Sequence, residues 1–137
     1  MRRTLFLLLV AALSIAAVSC SSPGVDPGPT LAGPFPSFPY TFSGNFTVDG
    51  TPGPAGITIY ARMGGTNSPT SAAPADGFYN NIIIGPSSER AEDLRQPVKF
   101  YIGTLNGPSV EAEETFEFKV VGAPTSVELN LTFPRLP

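Results

Sequence analysis

The sequence predicts an all-β chain folded as an antiparallel β-sandwich, and three observations carry that expectation. From Tyr40 onward apolar residues recur at every second position, the signature of strands with one buried face. The alternating runs are short and nearly evenly spaced, as in sandwiches. Every proline between Pro52 and Pro124 falls at the end of a run, where a missing backbone donor does not interrupt a ladder. Six or seven strands fit between Tyr40 and Pro137, a stretch long enough for one core.

The first strand is Thr41 to Val48, with Phe42, Gly44, Phe46 and Val48 facing inward and Thr41, Ser43, Asn45 and Thr47 outward. A turn opening on Asp49-Gly50 and running to Gly56 ends it. Ile57, Ile59 and Ala61 then alternate with outward Thr58, Tyr60 and Arg62. Gly64-Gly65 and Pro69 to Pro74 form a loop region with room for a short edge strand. Gly77 to Ile84 reads as a strand of ambiguous facing, because either parity buries an asparagine, Asn80 or Asn81.

Ser87 to Gln96 is the one helix-like window, and its cluster of Glu89, Arg90, Glu92, Asp93 and Arg95 reads as a solvated helical turn or charged loop. Pro97 opens a strand with Val98, Phe100 and Ile102 inward and Lys99 and Tyr101 outward. Asn106-Gly107 is a strong turn signal. The next strand runs from Val110 to Val121, with Phe116, Phe118 and Val120 inward. Val127, Leu129, Leu131 and Phe133 mark the last strand.

Ahead of the sandwich, residues 1–19 have the shape of a secretory signal. Arg2 and Arg3 precede an apolar run from Leu5 to Val18, which would span about 21 Å as a helix, short of the ~30 Å hydrocarbon core. The run stops at Ala17-Val18-Ser19-Cys20, which resembles the lipobox of bacterial lipoproteins. That resemblance implies lipidation of Cys20, the only cysteine of the chain, with a palmitate-type acyl anchor holding the protein to the membrane. Two or three acyl chains anchor stably where one does not. Ser21, following the cysteine, resembles the outer-membrane pattern of Gram-negative lipoproteins. The expected location is therefore extracytoplasmic, on the cell envelope. An ordinary signal peptide with an incidental cysteine is the plainer alternative.

Residues 20–39 join the two parts. Pro23, Pro27, Pro29, Pro34, Pro36 and Pro39, with Gly24, Gly28 and Gly33, leave no periodic apolar face. Such a segment favours extended polyproline II and acts as a tether, reaching up to ~60 Å at ~3.1 Å per residue.

Composition excludes much familiar chemistry. The 137 residues include no histidine, no tryptophan and one cysteine, which removes Ser/His/Asp triads, Cys/His dyads, Cys/His zinc sites and internal disulfides. Loss of Arg2 and Arg3 with the signal would lower the net charge from −3 to −5, which argues against nucleic acid as a partner.

A second resemblance covers Phe42 to Phe133. Gly44, Asp49-Gly50, Pro52, Pro54-Ala55-Gly56, Ile59, Ala61, Gly64-Gly65, Asp76-Gly77, Tyr79, Val98, Phe100, Ile102, Asn106-Gly107, Val127, Leu129 and Leu131 resemble the transthyretin-like, carboxypeptidase-regulatory-like sandwich. The resemblance implies a seven-stranded, Greek-key-like fold serving as a stalk, accessory or adhesive module without catalysis of its own, and no cofactor is expected.

Three candidate sites remain. Glu111 and Glu113 share a strand face at roughly 7 Å, a glycosidase-like separation, but more simply form the solvated face of an edge strand. Asp49, Asp76, Glu92 and Asp93 could meet at a loop end, without the spacing of a calcium loop, so no metal site is assigned. Tyr60 and Tyr101, both outward, could stack on sugar rings, making a cell-surface glycan the alternative partner to an envelope protein. The structural alternative is that they cover cross-strand neighbours. The expected function is a non-catalytic, membrane-anchored envelope module, with carbohydrate binding second.

Overall fold

A computed structural model describes residues 38–86 and 94–137. The signal segment 1–19, Cys20, the tether through residue 37 and residues 87–93 of the charged window lie outside the described residues. The described chain is all-β, with ten strands in two sheets: β1 (Tyr40–Val48), β2 (Thr51–Pro52), β3 (Thr58–Met63), β4 (Thr66–Asn67), β5 (Ser71–Ala72), β6 (Phe78–Ile84), β7 (Pro97–Gly103), β8 (Ser109–Glu117), β9 (Thr125–Glu128) and β10 (Leu131–Phe133). The count exceeds seven because β2, β4 and β5 are two-residue ladders and the last predicted strand breaks into β9 and β10.

One sheet is centred on β1, whose residues pair antiparallel with β6 and β2 and parallel with β9 and β10. This corrects the purely antiparallel expectation: Tyr40 aligns with Thr125 and Phe46 with Leu131, in the same direction. The second sheet runs β4-β3-β7-β8, all antiparallel, with β5 also on β3. Turn chemistry fixes the first hairpin. Asp49 and Gly50 both adopt positive φ, 51° and 73°, and connect Val48 directly to Thr51, a two-residue loop whose twist matches its strands.

Outside β6, whose facing alternation left open, the sandwich interior is the side predicted from alternation. Tyr40, Phe42, Phe46, Ile59, Ala61, Met63, Tyr79, Ile82, Val98, Phe100, Ile102, Leu131 and Phe133 are all buried. Rings meet edge to face, Phe42 of one sheet on Phe100 and Phe116 of the other at 5.0 Å, and Tyr40 on Phe118, just past β8, at 5.2 Å. Such pairs add to the area they bury. β8 ends at Glu117, four residues before the predicted end, and Val120 is 53% exposed where an inward position was expected.

The asparagine ambiguity in β6 is resolved by a bulge. Phe42 aligns with Ile82 and Gly44 with Tyr79, so two steps on β1 oppose three on β6. Asn81 takes up the extra residue in a left-handed conformation, φ 57°, which asparagine tolerates better than most residues. Tyr79 and Ile82 thereby both point inward, and neither asparagine is buried.

A serine repairs the edge of β3. Ser68 lies between β4 and β5, and its side-chain oxygen accepts the Ala61 N–H at 2.8 Å while its own N–H donates to the Ala61 carbonyl at 2.8 Å. The Ser68 hydroxyl donates onward to the Pro69 carbonyl at 2.8 Å. Pro69 has no N–H to offer at this edge, and the serine side chain supplies the pairing there.

Candidate functional site

The outer face of the second sheet brings together a group of interacting polar and aromatic side chains. Antiparallel register sets Tyr60 opposite Tyr101 and Arg62 opposite Lys99, and sets Tyr101 opposite Glu111 on the next strand. Alternation then sends Tyr60, Arg62, Lys99 and Tyr101 to the same side. The Tyr60 and Tyr101 rings stack, centroids 5.3 Å apart and planes 16° from parallel. The Arg62 guanidinium lies over the Tyr101 ring at 5.3 Å, and its Nε donates to the Asn67 side-chain oxygen at 2.8 Å.

Glu111 ties the group together. One carboxylate oxygen accepts the Tyr101 hydroxyl at 2.9 Å and the other pairs with the Lys99 ammonium at 2.8 Å. The hydrogen bond from Lys99 holds the Glu111 carboxyl below its ordinary range, with partial burial opposing. Burial, and then the bond to Glu111, push the Tyr101 hydroxyl up to about 12. These groups are therefore ionised and neutral respectively near neutral pH. A glycosidase-type general acid needs the reverse, a carboxyl raised toward its working pH.

The sugar-platform expectation fails at Tyr60. It occupies the outward parity, yet it is 1% exposed, because Tyr101 across the strand covers it. Tyr101 is half-buried, and its ring is already engaged by Tyr60 and Arg62. Glu113 is exposed on β8. The loop acids do different work: the Asp76 carboxylate accepts the Ala55 N–H at 2.7 Å, and Asp49 sits in the hairpin turn. Among the described residues no group of three acidic or cysteine side chains could hold a metal ion.

Sequence reading missed the cationic side of this face. Arg62 and Lys99 are remote in sequence, and only the pairing of β3 with β7 makes them neighbours. Their shared outward parity was the available signal. Both line a shallow pocket of about 170 Å³ together with Gly64, Gln96 and Pro97. A second cavity, of about 320 Å³, lies at the hairpin end and is lined by Val48, Asp49, Thr51, Pro52, Pro54, Arg135 and Leu136.

Glu114 was also unmarked. It belongs to the inward parity of β8, and its carboxylate accepts the Thr132 N–H of β10 at 2.6 Å, joining the edges of the two sheets. No family model matches the chain, and no curated protein or solved structure matches it.

Proposed function

We propose that the chain is a non-catalytic, lipid-anchored module of the cell envelope, in which a proline-rich tether carries a β-sandwich away from the membrane. The observation that carries this reading is the position of Cys20. The chain's only cysteine stands where a 14-residue apolar run ends and the proline-rich segment begins. A thiol placed by chance would have no reason to fall at that junction. The resemblance of the turn residues to transthyretin-like sandwiches supports a stalk or accessory role.

The chemistry of the sandwich supports the non-catalytic part. Its best-placed carboxylate, Glu111, is held ionised by Lys99 and Tyr101 rather than poised to exchange a proton. Sugar stacking on a pair of exposed tyrosines loses its basis with Tyr60 buried.

Metabolic labelling with a palmitate analogue tests the anchor. Wild-type protein is expected to take up label and partition with membranes, and Cys20→Ser is expected to do neither. Equal labelling of the two would overturn the reading.

A further inference from the structure

We propose that the pocket between Arg62 and Lys99 binds a single carboxylate, that of a uronate unit in an acidic glycan. This inference concerns a ligand of the sandwich and does not depend on lipidation at Cys20.

Size comes first. At about 170 Å³ the pocket is smaller than the ~300 Å³ at which sites for drug-sized molecules begin, so it suits one small unit of a larger ligand.

Geometry selects the anion's shape. The Arg62 side chain is fixed twice, by the Nε bond to Asn67 and by its seat over Tyr101. With Nε engaged, the paired Nη amines are the edge suited to a planar, two-oxygen acceptor, and a guanidinium already held in place loses little freedom on binding. Lys99 lines the same pocket and keeps ammonium donors beyond the one directed at Glu111.

Charge selects a monoanion. Arg62 and Lys99 bring two positive charges, and Glu111 removes one of them through its 2.8 Å pair with Lys99. A carboxylate matches the single charge left on the lining side chains. A phosphate dianion would place excess negative charge beside Glu111, which like-charge repulsion opposes.

The remaining lining favours a sugar as the bearer of that carboxylate. The exposed Gln96 amide offers both a donor and an acceptor to ring hydroxyls, and the exposed Pro97 ring offers a small apolar surface to a pyranose face. No open aromatic platform is required, which fits the burial of Tyr60.

The test is a titration of the full-length ¹⁵N-labelled chain in detergent micelles at constant ionic strength, following the amides of Gly64, Gln96 and Lys99. The probes are sodium glucuronate, methyl glucoside, N-acetylglycine and inorganic phosphate. Glucuronate is expected to give saturable shifts and to bind more tightly than the other three. Arg62→Lys, which keeps the charge but loses the fork, is expected to weaken glucuronate at least about tenfold, and Lys99→Gln to weaken it as well. Arg135→Lys, at the other cavity, is expected to leave it unchanged. Absence of saturation overturns the proposal. So does phosphate binding as tightly as glucuronate, which would mean attraction by charge alone, and so does N-acetylglycine binding as tightly, which would mean a carboxylate read without its sugar.

Discussion

The Tyr79 hydroxyl donates to the Leu129 carbonyl at 2.6 Å, although β6 and the β9–β10 line flank β1 on opposite edges. Gly44 is the β1 residue that aligns with Tyr79. A Cβ on Gly44 would overlap the Leu129 carbonyl itself, so glycine is what allows the three strands to approach so closely. The bonded carbonyl lies between β9 and β10, where the last strand changes its pairing from one half of β1 to the other. Burial, reinforced by the nearby Glu114 carboxylate, drives the Tyr79 hydroxyl well above its ordinary range, so it remains a donor through the physiological range.

Tyr79→Phe removes this donor and leaves the Leu129 carbonyl without its partner. A loss of about 1–2 kcal/mol is expected in chemical denaturation. Gly44→Ala should cost more, because a carbonyl cannot yield as a flexible side chain does. Equal midpoints for Gly44→Ala and wild type would show that the close approach is not required.

Phe100 is fully buried and meets Phe42 edge to face at 5.0 Å. Phe100→Ala is expected to destabilise the sandwich by about 3–5 kcal/mol, the range for emptying an aromatic site in a packed core. An unchanged denaturation midpoint would contradict the facing of β7.

Ser68 is 3% exposed and stands in for a strand backbone on the edge of β3. Ser68→Ala would leave the Ala61 N–H without an acceptor in a buried place, at a cost of about 1–3 kcal/mol. Amide exchange at Ala61 should quicken by more than at Ile59 or Met63. Uniform exchange across β3 would deny the serine its local role.

Titration of the outer-face network has a definite sign at each end of the pH range. Glu111 has a lowered folded-state pKa, so its contribution is present above the ordinary glutamate range and is lost as pH falls through the lower folded value. Tyr101 has a raised one, so its contribution is complete below its ordinary value of 10.0 and is lost as pH rises through about 12. In an ultraviolet phenolate titration Tyr101→Phe should delete a component near the upper value. Glu111→Gln should move that component downward without returning it to 10.0, because burial is the larger cause. An unmoved component would separate the two residues.

Much of the sandwich was legible because period-two alternation reports facing directly. Phe42, Phe46, Ile59, Val98, Phe100 and Ile102 lie inside as their spacing requires. Alternation does not report partners. The parallel pairing of β1 with β9 and β10, the stacking that buries Tyr60 and the approach of Arg62 to Lys99 all depend on which strand lies beside which. The β6 bulge was hidden for a related reason: one inserted residue defeats any fixed parity, and the sequence marks it only by an asparagine able to adopt positive φ. Ser68 was overlooked because a lone serine in a proline-rich loop resembles any other turn residue.

The parallel alignment of β1 with the last strand also determines how the sandwich responds to force. Tension entering the chain ahead of Tyr40 and leaving it beyond Phe133 pulls two neighbouring, like-directed strands past each other along their length. The ladder bonds between them are then loaded together, in shear, instead of opening one at a time from an end. A domain strung in that direction is expected to resist extension more than one whose terminal strands peel apart bond by bond.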